Sequence, residues 1–453
     1  MSSADDFLTF PAGFVWGSAT SSYQIEGSRY LDGKGDSIWD TFSRQPGRIK
    51  DGSNGDVAID HVRLYRQDVA LMAELGLDAY RFSISWPRVH PKGGGSVNSA
   101  GLDFYDKFVE ELLGAGITPM PTLYHWDLPQ ALEDKGGWLN RDTAKYFADY
   151  TQSVIDRLGD RVQTWTTLNE PFVSANHGYV TGEHAPGITS RAAGFAASHH
   201  LLMAHGFAGQ AIRELASNAR LAIVINFTPS EPANDEPATM AELQRVHDLE
   251  NRWYIDPLAG RGYPSETADY FEWGGEEVLD GDLEIISAPI DLLGVNYYFR
   301  HIVGPDGPLE VPPDTPQNTM GWELHPKSLG RLLRWLHEDY EFPAMMITEN
   351  GAPMPDDRRV GSQIIDDDRL AFIRDHLAEV HGAIQDGVPL EGYLVWSLFD
   401  NFEWAWGYGP TFGIVEVDYE TLERRPKKSA DWFSAAADAN GFALPEKPST
   451  YRS

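Results

Sequence analysis

The 453-residue chain contains no cysteine, which excludes disulfides, thiolate metal sites and thiol nucleophiles together. Long apolar runs are missing too, and nothing approaches the ~20 consecutive apolar residues that a membrane span needs. The opening stretch, "MSSADDFLTF", has neither a basic region nor an apolar core, so it does not read as a secretory signal. Basic residues are scarce: Lys and Arg total 36 against 68 Asp and Glu, a formal net charge of −32. Nucleic acid and anionic membranes are bound through basic patches, so neither is expected as a partner. The acidic residues are dispersed and read as a solvated surface. These absences point to a soluble, cytoplasmic protein. No internal repeat, low-complexity tract or linker divides the chain, which reads as one domain over residues 1–453.

Two motif absences narrow the chemistry. No Gly-x-Gly-x-x-Gly follows the first strand pattern, which weighs against a dinucleotide fold. No His-Glu-x-x-His occurs, and His199, His200 and His205 in "SHHLLMAH" share no helical face cleanly. Neither a metal nor a cofactor is expected. "GPDGPLEVPPD" reads as a surface loop rather than a phosphate cradle.

What is present is apolar and aromatic. The hydrophobic fraction is 42%, with 14 Trp, 19 Tyr and 21 Phe, enough for a sizeable core. Helical spacing appears at Val62, Tyr65, Val69, Met72 and Leu75 before Gly76, and again at Leu370, Ile373, Leu377, Val380 and Ile384 before Gly387. Between such segments lie eight strand candidates: "GFVWGSA", "AYRFSISW", "TPMPTLYHW", "QTWTTLN", "RLAIVINF", "DLLGVNYY", "AMMITEN" and "GYLVWSLF". Several are apolar almost throughout, as expected when both faces of a parallel sheet are buried. Eight strands alternating with helices predict an α/β fold, a single (β/α)₈ TIM barrel. The chain exceeds the ~250 residues typical of that fold, so long loops must decorate it.

The C-terminal strand ends of such barrels form the functional face. Here they carry an unusual polar set. Gln24 follows the first strand and Arg81 lies within the second. His125 and Trp126 close the third, Asn169 and Glu170 the fourth, Asn296 and Tyr298 the sixth, Glu349 and Asn350 the seventh. Trp396 sits in the eighth, with Glu403 and Trp404 just beyond. Each alone reads equally well as ordinary core or as a turn residue. Together they do not, because buried glutamates are uncommon and two of them end buried strands. Two carboxylates facing each other across a barrel mouth meet the requirement of glycoside hydrolysis, one protonated to help the leaving oxygen and one ionised. Indole faces such as Trp322, Trp396 and Trp404 suit sugar rings, while Gln, Asn, His and Glu can bond the hydroxyls.

"TLNEP" and "ITENG" resemble the two catalytic signatures of family 1 glycoside hydrolases, the β-glucosidase family. "FVWGSATSSYQIEG", "YRFSISWPR", "LYHWDLP", "GVNYY" and "VWSLFDNFEW" are similar to its other landmarks, in family order over nearly the whole chain. The resemblance implies retaining hydrolysis of β-D-glucosides, and of β-fucosides and β-galactosides, with Glu170 as acid/base and Glu349 as nucleophile. Retention places such carboxyls about 5–5.5 Å apart. It further implies that Arg81 and Tyr298 orient Glu349, that Asn296 belongs to the catalytic set, and that Asn169 holds the sugar 2-hydroxyl. Gln24, His125, Trp126, Glu403 and Trp404 would recognise the sugar, with Trp396 stacking below it and Trp322 as the aglycone platform. Phe412 is retained, whereas Pro410 and Thr411 stand where relatives often carry basic residues. Glu403 would repel a 6-phosphosugar, so a non-phosphorylated hexose is implied. The expected partners are β-glucosides or short β-linked oligosaccharides. Two other readings remain: a non-catalytic sugar-binding barrel, and a transglycosylase that passes the glycosyl group to an acceptor other than water.

Overall fold

The computed structural model describes residues 7–272, 277–446 and 451. Eight parallel strands close into a barrel: β1 Val15–Ala19, β2 Ala79–Ser83, β3 Thr118–Tyr124, β4 Thr164–Asn169, β5 Arg220–Asn226, β6 Leu292–Asn296, β7 Met345–Asn350 and β8 Leu390–Trp396. They follow chain order around the ring, and β8 closes onto β1 through Gly392–Val15 to Trp396–Ala19. All eight strands expected from the sequence are present.

The outer layer is helical: α1 His61–Glu74, α2 Ser99–Gly114, α3 Asp142–Leu158, α4 Arg191–Leu215, α5 Pro237–His247, α6 Pro326–Asp339, α7 Asp367–Gln385 and α8 Lys428–Asp438. The apolar stripe of α1 buries Val62, Tyr65, Val69 and Met72, and Gly76 then takes φ +68° past its end. That conformation favours glycine, which is why the helix stops there. Among the described residues no helix is long and apolar enough to cross a membrane.

The side chains sort by strand period. Trp16, Tyr80, Trp165, Leu293 and Ile347 point outward and join the large core between barrel and helices. Ala19, Ala79, Met120, Ala222, Leu292, Met346 and Leu394 point inward and fill the barrel.

Pro119 and Pro121 both lie inside β3, where prolines are normally excluded. The register explains how they fit. β3 pairs with β2 continuously from Thr118 to Thr122, but its pairing with β4 begins only at Thr122. In a parallel strand alternate residues bond to opposite neighbours: Thr118 and Thr122 bond toward β2, so the two prolines face β4, where the pairing at Thr122 needs no N–H from them.

Two expectations need refinement. The eighth strand runs Leu390–Trp396, beginning and ending earlier than "GYLVWSLF". Beyond Trp396 the backbone turns to the segment ahead of α8, where Ile414 and Val415 donate to the carbonyls of Ser397 and Leu398. The "GPDGPLEVPPD" stretch contains a small hairpin, with Gly307–Pro308 antiparallel to Val303–Gly304.

Candidate active site

The C-terminal strand ends open into a cavity of about 420 Å³. Glu170 and Glu349 both line it. They reach it by different local means. Glu349 is part of β7, whose pairing with β6 shifts register between Ile347 and Glu349, and is followed by Asn350 and Gly351. A Cβ on Gly351 would stand 1.6 Å from the Trp396 carbonyl oxygen, so the close approach of β8 dictates glycine there. Glu170 instead leaves β4 with φ +47°, its N–H held by the Val224 carbonyl of β5 at 2.9 Å. Pro171 disfavours the right-handed helical conformation at Glu170, and the π-helical turn Val173–Val180 follows. Trp126 (φ +77°) and Trp404 (φ +49°) share this left-handed backbone and also line the cavity. Non-glycine residues adopt it only when their surroundings enforce it.

The two carboxyls have opposite surroundings. Glu349 Oε1 accepts from Arg81 Nη1 and Oε2 from the Tyr298 hydroxyl, both at 2.6 Å. Glu170 Oε1 accepts from Asn296 Nδ2 at 2.7 Å, and no cation bonds it. The Thr348 hydroxyl donates to Asn296 Oδ1 at 2.7 Å, which fixes the amide so that its NH₂ faces Glu170. Arg81 also donates through Nη2 to Asn169 Oδ1 at 2.7 Å. Asn169 Nδ2 in turn meets His125 Nε2 at 3.1 Å, and Trp126 Nε1 donates to the Asn169 carbonyl at 3.0 Å. One guanidinium therefore ties β2 to both β4 and β7.

Charge follows geometry. Burial, and then the charge of Glu349, push Glu170 well above the usual carboxyl range. Burial raises Glu349 as well, but Arg81 and Tyr298 oppose the rise, so Glu349 is the member that ionises first. Burial and Glu349 lift Glu403 to about 8. Burial, assisted by Arg81, holds His125 well below the ordinary imidazole value, so it stays neutral.

One end of the cavity is walled by His125, Trp126, Trp396, Glu403 and Trp404. The His125 ring lies stacked 5.8 Å from Trp396 and 5.9 Å from Trp404. Gln24 Nε2 donates to Asn401 Oδ1 and the Phe402 carbonyl, both at 2.9 Å, and meets Glu403 Oε2 at 3.4 Å. Toward the other end, Trp322 packs on Phe299 at 4.8 Å and lies 6.2 Å from Phe412. A planar apolar wall, a ring of amides and two unlike carboxyls make a site for a polyhydroxylated ring with one bond to break.

Comparison with known proteins agrees. The model of glycosyl hydrolase family 1 matches residues 7–442. The chain belongs to glycosyl hydrolase family 1. It is 44% identical over 446 residues to β-glucosidase A of Acetivibrio thermocellus, covering 96% of this chain and 99% of that one. It is 41% identical over 457 residues to a bifunctional β-D-glucosidase/β-D-fucosidase of Bifidobacterium breve, covering 94% and 97%. The Thermotoga maritima β-glucosidase, solved in complex with galacto-hydroximolactam, superposes with a TM-score of 0.92 at 43% identity, covering 96% of this chain and all of that one.

Most of the residues that the sequence of this family 1 member singles out fall in or beside one cavity. Of the fourteen residues singled out, Glu170, Glu349, Asn296, Tyr298, His125, Trp126, Trp322, Trp396, Glu403, Trp404 and Phe412 line the cavity, while Gln24, Arg81 and Asn169 stand just behind that wall. Asn350 faces elsewhere, bonding Tyr297 and Tyr393. His199, His200 and His205 take separate partners: Asp282 with Tyr263, the Trp138 carbonyl, and Thr167. Residues not anticipated are Asn226, Glu183, His177, Glu250 and His301, all in the cavity wall. Asn226 ends an apolar strand just as Asn296 does, and that signal was readable. Glu183, His177 and Glu250 come from a loop and two π-helical turns, and His301 opens the short strand His301–Gly304 outside the barrel, so none carries the mark of a barrel strand end.

Proposed function

We propose that the protein is a retaining β-glucosidase, releasing terminal β-D-glucosyl residues by double displacement, with Glu349 as nucleophile and Glu170 as acid/base. The observation that carries this reading is the contrast between the two carboxyls, one anchored on Arg81 and Tyr298, the other bonded only by a neutral amide.

Glu349 attacks the anomeric carbon while the glycosidic oxygen departs with the Glu170 proton. The product is a neutral glycosyl ester, so the charge that kept Glu170 protonated disappears. Glu170 then takes a proton from water, which attacks the ester from the opposite direction and restores the original configuration. Asn169, held by Arg81 and Asn296, is positioned for the 2-hydroxyl, and Arg81 and Tyr298 hold the attacking carboxylate in place. Trp396 and Glu403 bind the sugar face and its hydroxyls, with Gln24 bracing Glu403. β-Fucosides and β-galactosides belong to the same reading; the Bifidobacterium relative is named for fucosides and the Thermotoga one is complexed with a galacto-configured ligand. The proposal includes one catalytic domain and a cytoplasmic setting, for which a cysteine-free chain needs no oxidising compartment.

The test is NMR of the sugar released from an aryl β-D-glucoside in the first minutes. β-Glucose appearing first is expected. α-Glucose first would make Glu349 a base rather than a nucleophile. No release, with tight glucose binding that survives Glu349→Ala, would point to a sugar-binding barrel. Product ratios with added alcohol measure the share of transfer.

A further inference from the structure

No lysine or arginine lines the cavity among the described residues, whereas five glutamates do. Three of them, Glu170, Glu349 and Glu403, stand at the sugar end. Of the remaining two, Glu250 stands beside His301, whose ring lies against Phe299 on the Trp322 side, and Glu183 stands beside His177 in the segment that follows Glu170. The wall outside the sugar-binding set therefore holds two carboxylates. An imidazole stands beside each, His177 at 3.3 Å from Glu183 and His301 at 3.4 Å from Glu250; Arg245 is also within Coulomb reach of Glu250, but its guanidinium is bonded to both oxygens of Glu242. Basic groups stand behind the wall rather than in it: Lys50 lies 3.7 Å over the ring of Trp406, itself a wall residue, and Arg48 donates to the carbonyl of Gly182, next to Glu183, at 3.2 Å. Arg300 is held by Glu231 and Glu323.

We propose that this end of the cavity selects against negatively charged aglycones, with Glu250 and Glu183 as the specificity-determining groups. The substrates are then β-glucosides whose leaving half is neutral or cationic. The inference rests on the β-glucosidase reading and extends it from the sugar to its partner. Its physical basis is short-range Coulomb repulsion inside a partly enclosed, low-dielectric cavity, where salt screens less than at an open surface. Glu250 is the stronger contributor, because its side chain is 16% exposed against 68% for Glu183.

The experiment uses two substrates of matched leaving ability, 4-(carboxymethyl)phenyl β-D-glucoside and its neutral carboxamide. Both substrates are measured at about pH 7.5, where the carboxymethyl group of the first is ionised. The readout is the ratio of kcat/KM for the anionic substrate to that for the neutral one. We expect a ratio of roughly one tenth or lower in the intact protein, rising severalfold in Glu250→Gln and further in Glu183→Gln/Glu250→Gln. A ratio near one, with the carboxamide turned over, would overturn the inference and leave the β-glucosidase reading intact. A low ratio that neither variant moves, but that about 1 M salt abolishes, would assign the effect to the net charge of the whole surface and also overturn it. Failure of the carboxamide itself to react would sink both readings together.

Discussion

The hydroxyl of Tyr298 donates to Glu349 Oε2 at 2.6 Å, the carboxyl oxygen that Arg81 does not touch. Each oxygen of Glu349 thus has its own donor, and both donors favour its ionised form. Tyr298→Phe removes one of them. A hydrogen bond to a charged group is worth about 1.5–3 kcal/mol, so kcat/KM should fall about 10- to 100-fold. The pKa of Glu349 should rise, moving the acid limb of the pH–rate profile to higher pH. An unmoved limb would show that Tyr298 does not tune this carboxyl.

The charge on Glu349 is the second cause, after burial, of the raised Glu170. Replacing Glu349 by Gln deletes the charge and leaves the burial. Carbon-13 NMR of labelled glutamate should therefore find Glu170 titrating at lower pH in Glu349→Gln, yet still above its ordinary value of about 4.3. A Glu170 unmoved by the substitution would break the proposed cycling of the acid/base.

Glu403 links recognition to stability. Burial and Glu349 lift it to about 8, above the value of an unfolded glutamate. The folded state thus prefers the protonated form. That stabilising contribution is complete below the unfolded pKa and is lost as pH rises through about 8. Glu403→Gln has no such loss, so calorimetry should show the variant gaining melting temperature relative to the parent between about pH 5 and pH 9. The same variant should bind glucosides more weakly, by about tenfold or more, because the sugar hydroxyls lose one of the two carboxyl oxygens that can accept from them.

Lys427 is fully buried, with Nζ on Asp356 Oδ2 at 2.6 Å and on Asp400 Oδ1 at 2.9 Å. Asp400 also accepts the Gly413 N–H at 2.9 Å, and Arg369 joins Asp356 to the Thr411 carbonyl. Lys427→Met would leave Asp400 without its ion-pair partner and Asp356 with Arg369 alone, a cost of about 3–5 kcal/mol that urea unfolding can measure. Asp400 anchors the loop carrying Glu403 and Trp404, so KM for a glucoside should rise in parallel.

The barrel was readable because its strands are short apolar runs with polar ends, a pattern that both-sided burial imposes. "RLAIVINF" and "AMMITEN" mark β5 and β7 almost to the residue. The sugar end of the site was readable for the same reason, since His125, Glu170, Asn296 and Glu349 occupy or directly follow strand ends. Glu183 and Glu250 were not, because each sits on an irregular segment whose course is set by what it packs against. The hydrogen bond from Thr348 to Asn296 was equally hidden. It depends on the registry of β6 against β7, which no local pattern encodes.

Trp126, Glu170 and Trp404 keep a left-handed backbone that glycine or asparagine would adopt with less strain. Selection for heat resistance alone would favour such replacements at all three positions. A directed-evolution campaign screening only for survivors of heating would then drift toward a sturdier barrel that no longer cleaves anything, losing Glu170 among the first. Screens on this scaffold should reward turnover in every round.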